Sequence, residues 1–426
     1  MKFINKLHQI WKDHDLRRSI LFVLSLLVVF RIAAHIPVPG IDVGALKSFF
    51  ESNQILGLLN IFSGGAMKNF SIVALGVGPY ITASIIFQLL TMIVPALEEL
   101  SKEGEAGYRK INQYTRLLTV PLAMLQGYGM IKLLQQSQRN ILGDLTTMEY
   151  LSTVVVLTGG TIFLMWLGEL ISEKKVGNGI SLIIFAGIVS SIPGAIQRTL
   201  ATFTSDQIVP IVSYLILIIV TVAGVVIITE GQRNIPISYA KRVRGNRMYG
   251  GFDTHLPLRV NQAGMIPIIF AISIIMFPTL LARLFSQANS ELIRNISQFV
   301  IDIFQNQFFY GIFYFFLVFG FTYFYTAVIF HPHQIAENLQ KQGGFVPGIR
   351  PGRQTAEYIG KVSNRIMLAG ALSLGLIAIL PLVVRPLTGI TTMAISGASL
   401  LIVVSVVLET ARQIDSQLVM RDYEGL

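Results

Sequence analysis

The stretch IVPIVSYLILIIVTVAGVVII, residues 208–228, carries no charged side chain. At about 1.5 Å per residue, a helix of this length covers the roughly 30 Å hydrocarbon core of a bilayer. A helix satisfies its own backbone hydrogen bonds, and lipid allows few other spanning forms. Nine more apolar stretches repeat the pattern, at 19–35, 70–94, 117–134, 151–171, 180–196, 263–281, 308–330, 366–384 and 391–408. Hydrophobic residues make up 53% of the chain and charged residues 13%, against about 25% charged in soluble domains. The expected fold is an all-α polytopic membrane protein with ten transmembrane helices.

An even number of spans puts both termini on one side, and the charge says which. With the N-terminus inside, 24 Lys and Arg fall in cytoplasmic segments and 8 in external ones, with Arg31 inside the first span. That bias follows the positive-inside rule. The net charge of +10 is therefore mostly cytoplasmic. It favours anionic lipid and acidic partners and does not specify nucleic acid. The absence of cysteine removes disulfides, thiolate metal sites and thiol nucleophiles. Residues 1–18 have scattered charge and no cleavage site, so they do not read as a secretory signal. Phe3, Ile4, Leu7, Ile10 and Trp11 share a helical face flanked by Lys2, Lys6 and Lys12. The segment is either a short interfacial helix or a frayed basic terminus.

Five spans (residues 19–196) precede an external connection at 197–207, and five (208–409) follow it, before a tail at 410–426. The span count permits two pseudo-symmetric halves of opposite topology. Two cytoplasmic loops stand out. In 231–261, strand-like residues 235–243, a Gly245-Asn246 turn and a returning run read as a β-hairpin. Its tip carries Lys241, Arg242, Arg244 and Arg247. In 331–363, Gly and Pro are so frequent that regular structure is not expected across 343–352. Residues 56–70, LGLLNIFSGGAMKNF, are too short to span and too apolar for an exposed loop. A half-helix folded back into the protein reconciles the two.

Arg31 is the one charge well inside a span. Glu169, Glu230 and Glu409 lie near cytoplasmic span ends, where they reach water. No mid-membrane carboxylate is present to carry a proton, which disfavours a coupled transporter. His331-Pro332-His333 lacks acidic neighbours and reads as a span-end cap rather than a zinc pair. Gly177-Asn178-Gly179 and Gly76-Val77-Gly78 follow no strand and match no phosphate-binding loop. No nucleophile–base pair is visible, so neither catalysis nor a cofactor is expected. A secondary transporter, a small-solute channel and a membrane scaffold are the competing classes.

Several separate motifs then point one way. They are Ile36 to Gly40 (IPVPG), Phe62 to Ala66 (FSGGA), Pro79-Tyr80-Ile81 with Gln88-Leu89-Leu90, and Glu103-Gly104-Glu105. Further on come Gln113 to Arg116 (QYTR), Phe163 to Glu169 (FLMWLGE), Gly177 to Ser181 (GNGIS), His255 to Leu258 (HLPL) and Phe345 to Gly352 (FVPGIRPG). In this order the chain resembles the SecY family of protein-translocation channels, in its bacterial form, from about residue 4 to residue 409. The short tail and the particular basic residues of the hairpin tip are its own.

The resemblance implies two five-helix halves around an hourglass pore, in the bacterial plasma (inner) membrane. It places a sealing ring on Val77, Ile81, Ile184, Ile188, Ile269 and Ile402. A plug at about 56–69 would center on Asn60, Ile61, Phe62, Ser63, Gly64, Gly65, Ala66 and Met67. A lateral gate would use Thr82, Gln88 and Phe277, with Pro267 and Pro278 letting the seventh span bend. Ordinary interhelical hydrogen bonding is the alternative role for Thr82 and Gln88. Lys241, Arg242, Arg244, Arg247 and Arg350 would dock a SecA motor or a ribosome. SecE-type and SecG-type small subunits, signal peptides and nascent chains complete the implied partners. The residue types are compatible with these roles. A narrow aliphatic constriction excludes ions by dewetting, and Val77/Ile81 and Ile184/Ile188 each share a helix face.

Overall fold

The computed structural model describes residues 10–39, 44, 46, 63, 65–135, 146–201, 208–239, 242–244, 247–249, 253–286, 290–388 and 397–424. Among the described residues, each of the ten apolar stretches lies at least in part on a helix. In the first half these are α1 (His14–Ala33), α2 (Gly78–Ile93), α4 (Glu105–Gln135), α5 (Thr147–Glu173) and α6 (Gly179–Ala201). In the second half they are α7 (Ile208–Glu230), α8 (Ile266–Phe285), α10 (Gln307–Ile329), α12 (Arg353–Thr388) and α13 (Gly397–Glu424). Six described helices are long and apolar enough to cross a bilayer unaided. Helix α2 joins α3 (Pro95–Lys102) through a 100° bend to make a seventh. Helices α1 and α13 carry their apolar part beside a charged end.

Local chemistry sets several helix starts. The Asp13 carboxylate accepts from the Asp15 and Leu16 amides and caps α1. Thr146 and Glu149 form a capping box at α5. The Thr146 N–H held by Glu149 keeps that exposed carboxyl below its ordinary range. Pro95 begins α3 where its missing N–H costs nothing.

Two expectations need correction. The second span is helical only from Gly78. Residues 70–77 form turns, with an antiparallel bridge between Pro37 and Ser71. The Ile72 amide donates to the Ile36 carbonyl at 3.0 Å and Val38 donates to Phe70 at 3.0 Å. The chain leaving α1 is thus tied to the chain entering α2, at the cost of a left-handed Phe70. The 331–363 loop is also more regular than its Gly and Pro suggest. It holds α11 (Pro332–Lys341) and a short strand, and α12 begins as early as Arg353. The tail continues α13 as one helix to Glu424.

The hairpin is present. Strand β1 (Gln232–Tyr239) pairs with β4 (Asp253–Arg259), and β2 (Arg242–Arg244) pairs with β3 (Arg247–Tyr249). Arg244 faces Arg247 across the tip, as a two-residue turn requires. Strand β5 (Gly344–Phe345) adds to the free edge of β1. Ile235, Ile237 and Leu258 of the hairpin bury against Leu339, Val346 and Ile359 of the second loop. The two loops are therefore one body on one side of the helices.

Close backbone contacts position the first half. A Cβ on Gly160 of α5 would lie 1.9 Å from the Ile72 carbonyl oxygen, whereas Gly159 faces open space. Gly160→Ala should therefore destabilise the protein by roughly 1–3 kcal/mol through overpacking, and Gly159→Ala should change it little. Thermal unfolding in detergent separates the two; equal midpoints would show that α5 does not hold the 70–77 turn.

Candidate functional site

The six ring candidates come from α2, α6, α8, α13 and the turn before α2. Val77, Ile184 and Ile402 are fully buried, and Ile81, Ile188 and Ile269 nearly so. All six belong to one continuous apolar cluster, which also contains Ala66 of the segment before α2. Helices of both halves contribute. The halves meet along two seams: α6 packs on α13, and α2 and α4 pack on α8. The cluster combines Ile and Val from both seams, so no single helix encloses it.

Of the plug candidates, Asn60, Ile61, Phe62 and Gly64 lie outside the described residues. Ser63, Ala66 and Met67 are buried. The Met67 amide donates to the Ser63 hydroxyl at 3.1 Å, and 66–69 form a 3-10 turn after a left-handed Gly65. Met67 and Phe70 join a second cluster with Met130, Leu134 and Leu157 of α4 and α5. The described part thus has one residue on the ring cluster and its neighbours anchored in the first half. Arg31, at the end of α1, brings its guanidinium beside Gly65; a Cβ there would sit 3.7 Å from its Nη1.

The gate candidates lie on α2 and α8, and the side-chain bonds of the two polar ones are local. Thr82 donates to the Gly78 carbonyl at 3.1 Å and Gln88 to the Ser84 hydroxyl at 3.4 Å. Both bonds stay within α2 rather than crossing between helices. The Gln88 carbonyl oxygen is buried without a partner. Phe277 on α8 is 39% exposed. Pro267 occupies the first turn of α8, where it starts the helix, and only Pro278 lies inside it.

Among the docking candidates, Arg350 is exposed and stands between two left-handed glycines, Gly348 and Gly352. The Thr355 hydroxyl donates to the Arg350 carbonyl at 2.9 Å and fixes that turn to α12. Arg242, Arg244 and Arg247 lie on the paired tip strands; Lys241 is outside the described residues.

Contacts that the sequence did not reveal link distant segments on the hairpin side. Arg412 Nε donates to Glu230 at 3.0 Å, and its Nη2 reaches the Thr229 carbonyl at 2.7 Å. Gln417 donates to the Lys175 carbonyl at 2.6 Å. Arg116 pairs with Glu169 at 2.6 Å. The first two join the tail to the end of α7 and to the turn between α5 and α6. Glu230 was visible as a charge at a span end, but its partner 182 residues away was not.

Residues 71–411 match the sequence profile of SecY. The chain is 44% identical to a protein translocase subunit SecY of Corynebacterium glutamicum, with 98% of each covered. It is 43% identical to the protein of the same name from Streptomyces scabiei, covering 97% of this chain and 98% of that one. The chain belongs to the SecY family. It is a multi-pass membrane protein and the pore-forming subunit of a protein-translocation channel, a family that works without enzymatic chemistry of its own. The fold agrees with a solved protein-conducting channel at a TM-score of 0.61 and 17% identity, over 92% of this chain and 90% of that one. It also agrees with Sec61 in a canine ribosome–channel complex of the endoplasmic reticulum, at 0.59 and 17% identity, over 92% of this chain and 90% of that one.

The unpartnered amide oxygen on α2 yields a direct prediction. Leaving a buried acceptor unmet costs about 1–3 kcal/mol, so Gln88→Leu should raise the unfolding midpoint in detergent by a few degrees. A lower midpoint would show that the amide has a partner that holds α2.

Proposed function

We propose that unfolded polypeptides pass between the two halves through the cluster formed by Val77, Ile81, Ile184, Ile188, Ile269 and Ile402, the waist of an hourglass pore. The observation that carries this reading is the convergence of these side chains, from four helices in both halves, with Ala66 of the folded-back segment against them. Branched aliphatics make no directional bonds, so a chain of any sequence displaces them at similar cost. Closed, they leave no polar path, and a narrow dry constriction resists ions. The segment around 60–67 acts as the plug. The α2/α4–α8 seam, with Thr82, Gln88 and Phe277, acts as the lateral gate that releases hydrophobic segments into lipid.

The hairpin body and the Arg350 turn form the docking surface for a SecA motor and for the ribosome, whose RNA phosphates suit the basic tip. A relative of similar fold occurs in a ribosome–channel complex. SecE-type and SecG-type subunits hold the halves together, and anionic lipid faces the basic side. The bacterial inner membrane, with both termini cytoplasmic, fits the basic bias.

Two measurements test the reading. Ile402→Asn, and separately deletion of residues 60–67, should raise the resting conductance in planar bilayers and pass substrates with defective signal sequences. Val407→Asn on the exposed side of α13 should do neither. Membranes as tight as the parent with both waist and plug variants would withdraw the pore assignment. In the second, Arg350→Glu should abolish motor-driven translocation while the protein still inserts. Lys341, already paired with Glu337 at 2.8 Å, should tolerate alanine. Normal translocation by Arg350→Glu would remove the turn from the docking surface.

A further inference from the structure

Helix α9 (Glu291–Gln305) lies between α8 and α10, at the end of the bundle away from the hairpin. Its sequence, ELIRNISQFVIDIFQ, sorts into three stripes. At about 100° per residue these stripes lie roughly 120° apart. Ser297 and Ile301 are buried against the protein. Phe304 beside them meets the rings of Phe309 and Phe313 at 6.1 and 5.5 Å, fixing the helix to the first turns of α10. The second stripe is Glu291, Asn295, Gln298 and Asp302. Of these Glu291 and Asn295 are exposed, and Gln298 donates to Asp302 at 3.0 Å in an exposed bond.

The third stripe is apolar yet uncovered. Leu292 is 74% exposed, Ile296 61% and Phe299 65%. One face therefore meets protein and one suits water, which leaves the third to a different medium. At the two junctions, Phe285 closing α8 and Phe308 opening α10 are also exposed. Exposed apolar side chains thus also stand at the helix ends on either side of α9. With one basic and two acidic residues on α9, its attraction to a bilayer would come from apolar area rather than from anionic headgroups.

We propose that α9 is an interfacial anchor: Leu292, Ile296 and Phe299 insert into the acyl–headgroup boundary of the leaflet opposite the hairpin, while the Gln298 face stays in water. The anchor is joined directly to α8, which carries Ile269 and packs on α2 and α4, and to α10. It fixes the depth of both helices at that end without clamping the seam.

The lack of cysteine permits a clean test. The full chain is labelled with an environment-sensitive fluorophore at Ile296→Cys, Phe299→Cys, Asn295→Cys or Gln298→Cys. Each is reconstituted in phosphatidylethanolamine–phosphatidylglycerol vesicles. Nitroxide placed near the top of the acyl chain should quench positions 296 and 299 severalfold more than 295 and 298. Iodide on both sides of the membrane should give the reverse order. Iodide quenching all four alike would put the stripe in water and overturn the proposal. Protection of 296 and 299 from both quenchers would assign the stripe to a protein partner or a second copy, and would overturn it equally.

Discussion

Helices of both halves pack on a small group of buried branched aliphatic side chains, and on the proposed reading the rest of the structure keeps that contact dry. Each pair of atoms contributes only about 0.1–0.2 kcal/mol, so the seal depends on many contacts and no particular bond. That suits a barrier which must yield to any sequence and close again. A salt bridge or hydrogen-bond network in the same place would hold more tightly, discriminate among passing side chains and attract water. The buried cluster, with Ile81 and Ile269 on one seam and Ile184, Ile188 and Ile402 near the other, has no such group among its ring candidates.

The supporting parts place their polar contacts elsewhere. On the hairpin side, Arg412 and Gln417 tie the last helix to α7 and to the turn before α6. This links segments of both halves at the α6–α13 seam. The α2/α4–α8 seam has a different character: Thr82 and Gln88 satisfy themselves within α2 as far as they are satisfied at all. Among the described residues, one seam is bonded close by while Thr82 and Gln88 at the other bond only within α2, which suits the proposed gate.

Much of this was legible because lipid imposes a strict rule. Long uncharged runs must be helical, and each of the ten stretches has its described part wholly or mostly on a helix. The hairpin pairing was also readable, since Gly245-Asn246 between strand-like runs leaves few alternatives. Other features depend on tertiary contacts that periodicity does not encode. Residues 70–77 look like the start of a span, yet the Pro37–Ser71 bridge and the approach of Gly160 hold them in turns. The Gly- and Pro-rich loop gains a strand because β1 offers a free edge to Gly344-Phe345. Helix α9 escaped notice because it is too short and too polar on one face to read as a span. For the waist, the residue types alone could not separate pore-lining Ile from lipid-facing Ile. Family resemblance selected the six, and their shared burial is a property of the fold.

On the proposed reading, a polypeptide in transit touches Ile81 and Ile402. A photoreactive amino acid at either position, in the full chain holding a stalled secretory substrate, reads that contact without an intermediate step. A substrate adduct is expected at both positions on irradiation, absent without the stalled chain, and none from Val407 on the outer side of α13. Adducts at Val407 with none at Ile81 or Ile402 would contradict passage through the waist.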